Sequence, residues 1–291
     1  MTEIHSTWTL SRRSMFGLGA AAVAAVGLAA CSSSDDKSSG SKTSAANDVK
    51  SVATDAYVFG YPLVLMDATK TAGAPVNSFD HGVPPNPNDR DVVRLNLDTL
   101  YSQAWLDLSA EPMVLQVPAM DAGRYWLMQI MDAWSNTAHD PSSVKPQVKD
   151  GVTAPPYTYV LTGPGWSGTL PPNTTELKMT TPTVWIIGRI QINGAADLPN
   201  VQALQQQLKL VPLSRWAAGD EGGTVSRQHT TDAGAVPPVK AVAAMDGKTF
   251  YNKMCALMAV NPPAPADAAV MKRFATIGIK PAAQCRHPLD R

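Results

Sequence analysis

The chain has 291 residues, 44% of them hydrophobic and 16% charged, enough to bury the core of one large domain or two small ones, which excludes a disordered chain and a polytopic membrane protein. Lysine plus arginine and aspartate plus glutamate both number 24, and without residues 1–30 the counts are 22 and 23, a net charge near −1. The basic residues are scattered singly, so no nucleic-acid partner is expected.

Ser11-Arg12-Arg13-Ser14-Met15-Phe16 resembles a twin-arginine export signal, with the apolar stretch Phe16 to Ala30 directly behind it. Fifteen weakly apolar residues are too few to span a bilayer comfortably, so the segment reads as a signal peptide and not as a stop-transfer helix. Leu28-Ala29-Ala30-Cys31 resembles a bacterial lipobox, and the cysteine stands where the apolar run stops. Cleavage of 1–30 is therefore expected to leave a lipoprotein anchored through acyl chains (palmitate among them) on Cys31, exported and held on a membrane of the cell envelope. Residues 31–46, rich in Ser, Asp, Lys and Gly, have too little apolar surface to fold and are expected to form a disordered tether.

Residues 47–281 read as one β-rich domain with helices at both ends. Asn47 to about Thr71 has a helical apolar face with Asn47 as N-cap, and Pro62 is expected to kink it. From Thr99 the period becomes two: Leu100, Ser102, Ala104, Leu106 and Leu108 alternate with Tyr101, Gln103, Trp105 and Asp107, as in a strand. Met113 to Val117 and Tyr125 to Trp134 are further strands, joined by a proline- and glycine-containing loop that suits a hairpin, so three strands are expected to form a meander. Tyr157 to Leu161 and Thr183 to Ile192 add two more, around the Gly163 to Gly168 loop. The fold class expected is mainly β with peripheral helices, on a β-sandwich or jelly-roll-like core.

After Ile192 the texture changes. Asp197 to Leu210 steps its apolar residues by three and four behind a cap at Asn193 or Asp197, and Ala217 to Val236 reads as a polar loop. Lys248 to Val260 and Asp267 to Thr276 form a helical pair split by Asn261-Pro262-Pro263-Ala264-Pro265, with Asp267 capping the second, and 282–291 is a tail. Once Cys31 is used, Cys255 and Cys285 remain, a pair able to form a disulfide in an oxidising compartment. The simpler reading of Cys255, inside Met254-Cys255-Ala256-Leu257-Met258, is a small buried thiol.

The segment Arg94-Leu95-Asn96-Leu97-Asp98-Thr99-Leu100-Tyr101-Ser102-Gln103-Ala104-Trp105 resembles the signature of the domain-of-unknown-function 1254 family. Gly123-Arg124-Tyr125-Trp126, Asp132-Ala133-Trp134, Gly163-Pro164-Gly165-Trp166, Arg189 and Pro212-Leu213-Ser214-Arg215-Trp216 follow in the family's order. The resemblance implies a jelly-roll-like fold without an established reaction, followed by a second domain of the 1214 type. This chain instead ends at Arg291, so the second domain is expected on a separate chain as a partner, or the gene is a truncated, non-functional piece of a two-domain ancestor.

Asn96, Asp98, Tyr101, Arg124, Tyr125, Asp132 and Arg189, with Thr99, are the densest polar set, and several fall at strand ends where they could share a pocket; Trp166 joins them as an aromatic residue in a loop. Two readings compete. In an envelope hydrolase or lyase, Asp98 or Asp132 would act as acid or base while Arg124 or Arg189 binds an oxyanion. In a binding protein for a small molecule or carbohydrate, the carboxylates would be tied into structural pairs and Asn96-Leu97-Asp98-Thr99 would be a self-satisfying turn. The second is preferred. Apart from His5 in the signal, the histidines lie far apart, and no phosphate loop, nucleophile elbow or dinucleotide fingerprint is visible, so no metal and no cofactor is expected.

Overall fold

The structure, a computed structural model, describes residues 39–71, 75–84, 96–223, 227–228 and 236–285. Arg12, Arg13, Cys31 and the whole of the expected signal peptide lie outside the described residues. Two compact units divide the chain, Met1–Ala45 and Ala46–Arg291; the first contributes only the opening residues of the first helix to what is described, and all that follows concerns the second.

Helix α1 is Ser39–Thr71, with Pro62 inside it. It begins upstream of the expected start, so Asn47 lies within the helix and not at its cap, and residues 39–46 of the expected tether are helical. The strands are β1 (Ser78–His81), β2 (Thr99–Asp107), β3 (Met113–Val117), β4 (Trp126–Asp132), β5 (Thr137–His139), β6 (Tyr157–Thr162), β7 (Thr175–Lys178), β8 (Thr183–Gln191), β9 (Lys209–Pro212) and β10 (Arg227–Gln228). The later helices are α2 (Leu198–Gln207), α3 (Leu213–Ala217), α4 (Pro238–Ala243), α5 (Gly247–Val260) and α6 (Ala268–Ala275).

One sheet runs β10-β1-β2-β8-β4-β5 and the other β7-β6-β3-β9; β1–β10 and β6–β7 pair in parallel and the other pairs are antiparallel. The expected mainly-β sandwich with peripheral helices is the fold. The meander is not: β3 belongs to the opposite sheet from β2 and β4, and β2 and β4 flank β8. The Pro118 to Arg124 loop therefore crosses between sheets, and no hairpin joins β3 to β4. Strand alternation fits each strand to either arrangement equally well, and partner choice depends on the long-range β2–β8 register.

The inter-sheet core follows the period of two. Leu100, Ala104 and Leu106 of β2, Met128 and Ile130 of β4, and Val184, Ile186 and Ile190 of β8 face Met113, Leu115, Val117, Tyr159 and Leu161 of the smaller sheet. On the larger sheet's outer face Met66 of α1 packs on Trp105, Met131 and the half-buried Trp185. The Trp105 and Trp185 rings, opposite each other in the register, stack at 4.8 Å, which contributes about 1 kcal/mol beyond the area buried. Helices α1, α5 and α6 share a second core of Val52, Ala56, Leu63, Phe250, Met254, Met258 and Phe274. A Cβ at Gly60 would lie 2.3 Å from the sulfur of Met254, so glycine sets the close approach of α1 and α5. Cys255 and Cys285 form a disulfide with Cα atoms 5.6 Å apart, fixing the chain after α6 to α5.

Candidate functional site

The expected polar set does not form one pocket. Asn96 accepts from the amides of Asp98 and Thr99 and donates to the Thr99 hydroxyl at 2.6 Å, a closed turn leading into β2, and Asp98 is exposed. Arg124 donates to the Gln191 carbonyl and to both oxygens of Asp197, and pairs with Asp121 at 3.0 Å, which binds the approach to β4 to the end of β8 and the start of α2. These bonds raise the Arg124 guanidinium and hold the Asp197 carboxyl well below the usual carboxylate range. Asp197 stands at the start of α2 as expected, but its carboxylate serves Arg124 and the Asn193 amide and makes no capping bond to the helix. Tyr125 is exposed and bonded through its backbone to Gln191.

Asp132, at the far end of β4, is 5% exposed and accepts from the amides of Trp134 and Asn136, the Asn136 side chain and the Thr180 hydroxyl. It builds a turn. Trp166 is half-buried, with its ring over Gly168, and lies in the loop after β6, in the other sheet. A cleft lined by Leu63, Met66, Asp67, Thr183, Leu257 and Asn261 contains one carboxylate, and Asp67 is paired to Lys253 at 2.6 Å.

Tyr101 and Arg189 do come together. The register places side chains on the outer face of the larger sheet in rows: Ser78, Trp105, Trp185 and Met131; then Asp80, Gln103, Ile187 and Gln129; then Tyr101, Arg189 and Leu127. Helix α1 reaches the first row through Met66, and Ile187 of the second packs against the same cluster, whereas Gln103, Gln129, Tyr101, Arg189 and Leu127 are half-buried. The Arg189 guanidinium lies 5.4 Å from the Tyr101 ring centroid, and its Nη1 donates to Gln129 Oε1 at 3.0 Å. Gln129 in turn donates to the Thr137 hydroxyl of β5. Among the described residues no carboxylate pairs with Arg189, and its Nε–Nη2 edge carries no hydrogen bond. Gln103 and Gln129 were not singled out in the sequence, although the alternation that puts Tyr101 outside puts Gln103 there too.

One further pair was missed. His81 Nδ1 and Ser102 Oγ are 3.0 Å apart, a base and a nucleophile at hydrogen-bond distance, but both side chains have 0% exposure and His81 stacks on Phe79 in the core. Burial pushes the His81 imidazole down to about 4, with Asp80 opposing the shift. The pair closes the β1–β2 end of the sandwich, where fully buried Gln205 of α2 donates to the Tyr101 carbonyl at 2.9 Å. Among the described residues no group of three His, Cys, Asp or Glu side chains is placed to hold a metal ion, and no helix is long and apolar enough to cross a membrane.

Residues 76–212 match a family model described as a protein of unknown function (DUF1254). The VPA0106 protein from Vibrio parahaemolyticus, at 23% identity, shares the fold with a TM-score of 0.59 over 83% of this chain and 54% of its own, so the chain spans about half the length of that protein. An uncharacterised protein from Burkholderia cenocepacia matches at 15% identity, with a TM-score of 0.34 over 52% of this chain and 39% of its own. No curated protein matches the chain.

Proposed function

We propose, for a chain whose residues 76–212 belong to the DUF1254 family, the role of an exported, lipid-anchored envelope protein that works by binding a ligand on the outer face of its six-stranded sheet, beside the rows that helix α1 packs on. The observation that carries binding over catalysis is the state of the acid–base candidates. Asp132 is consumed by a turn and Arg124 by two aspartates, and Asp98 is open to water with no base or cation beside it among the described residues. A general acid or base needs restricted solvent access and a partner aimed at the reacting atom. On the sheet face, among the described residues, the Arg189 Nε–Nη2 edge and the Gln103 amide carry no hydrogen bond.

Export is supported by the Arg12-Arg13 pair and the Leu28 to Cys31 lipobox, and also by the Cys255–Cys285 disulfide, since such bridges persist in oxidising compartments. The test is fractionation of the full-length protein from a twin-arginine-competent host, beside Cys31→Ser and Arg12→Lys/Arg13→Lys versions. The proposal predicts membrane-bound wild type, a serine version released from the membrane, and a double-lysine version retained in the cytoplasm. Wild-type protein found in the cytoplasm contradicts it.

A further inference from the structure

We propose that the outer face of the six-stranded sheet binds a carboxylate-bearing sugar of the uronic acid class, with Arg189 holding the carboxylate. The inference rests on the reading of that face as the binding surface.

Arg189 is set up in advance for one planar anion. Gln129 fixes its Nη1, and the guanidinium carbon lies over the Tyr101 ring at 5.4 Å, so part of the rotamer freedom a ligand would otherwise have to remove is already spent. What remains is the Nε–Nη2 edge, the fork that meets the two oxygens of a carboxylate in parallel. The surroundings select against a bare anion. Gln103, one row away on the neighbouring strand, has a side-chain amide without a hydrogen-bond partner among the described residues, able to give and accept with sugar hydroxyls. Half-buried Leu127, beside Arg189 on β4, and Ile187, between Gln103 and Gln129, offer apolar surface to the C–H face of a pyranose ring.

The experiment is calorimetric titration of the detergent-solubilised full-length protein with trigalacturonate and, separately, maltotriose. Arg189→Gln, Arg189→Lys and Gln103→Ala are compared, each checked for an unchanged melting temperature; Gln103 makes no side-chain bond among the described residues, so its loss spares the fold. Binding of the uronate by wild type, weakened about tenfold or more by Arg189→Gln, less by Arg189→Lys and several-fold by Gln103→Ala, with maltotriose about tenfold weaker, is the expected result. Equal affinity for maltotriose with no effect of Arg189→Gln overturns the acidic-sugar assignment and leaves the sheet face as the binding surface. Binding of neither saccharide by wild type overturns the assignment outright.

Discussion

Arg124, two residues before β4, and Asp132, the last residue of β4, are eight positions apart, on the order of 25 Å along an extended chain. A cation at one end of a strand cannot bind an oxyanion created by an acid at the other. The separation removes that pair from any common catalytic site and gives each residue its own structural role. Arg124 fastens β4 to β8 and α2, and Asp132 turns the chain toward β5.

Asp132→Ala is expected to cost about 1–2 kcal/mol in urea unfolding. It removes the buried acceptor on which the turn closes, while the donors it loses, on half-buried Trp134 and exposed Asn136 and Thr180, can turn to water. Any ligand binding on the sheet face should survive in the folded fraction. A variant as stable as wild type would show that the turn holds without its carboxylate.

His81 makes stability depend on pH with a defined sign. Its folded value of about 4 lies below the unfolded value of 6.5, so the unfolded chain takes up the proton first as pH falls. The contribution is fully present above pH 6.5 and is lost progressively as pH falls toward 4, up to about 3 kcal/mol in total. Urea midpoints at several pH values for wild type and His81→Phe measure it. The wild-type curve should fall more steeply between pH 6.5 and 4 than the variant's, and parallel curves would contradict the burial of a neutral ring.

The Cys255–Cys285 bridge closes a loop over a sequence separation of 30, and removing it as Cys285→Ser should cost about 2–4 kcal/mol. Cys255 has 0% exposure in the helical core, so the substitution belongs at half-buried Cys285, where packing changes least. The same loss should follow from dithiothreitol on wild type and be absent in the variant. Equal melting temperatures with and without reductant would show that the bridge contributes nothing.

The elements with strong internal period were legible in the sequence. Leu100 to Asp107 alternates cleanly, and Met113 to Val117, Tyr157 to Thr162 and Thr183 to Gln191 are bounded by proline, glycine or turn residues, so these strands fall where the pattern places them. Ser78–His81, Thr137–His139 and Thr175–Lys178 are three or four residues long, too short to display a period, and exist through their partners. Lys209–Pro212 was hidden because Leu208 and Val211 continue the helical spacing of α2; Leu208 nevertheless leaves the helix with extended backbone. Of the candidate site, Tyr101 and Arg189 were visible as residues, but their pairing follows from the β2–β8 register, a non-local property. Asn96 and Asp132 read as polar candidates because a turn-building Asx side chain and a catalytic one have the same composition.

Whether this β-sandwich works from a lipid anchor outside the cytoplasm is read most directly from the intact mass of the membrane-extracted protein. An anchored protein is expected to lack residues 1–30, to begin at Cys31, to be heavier than its polypeptide by the mass of attached acyl chains, and to be lost from the membrane in Cys31→Ser. A soluble, unacylated chain that retains residues 1–30 would contradict it.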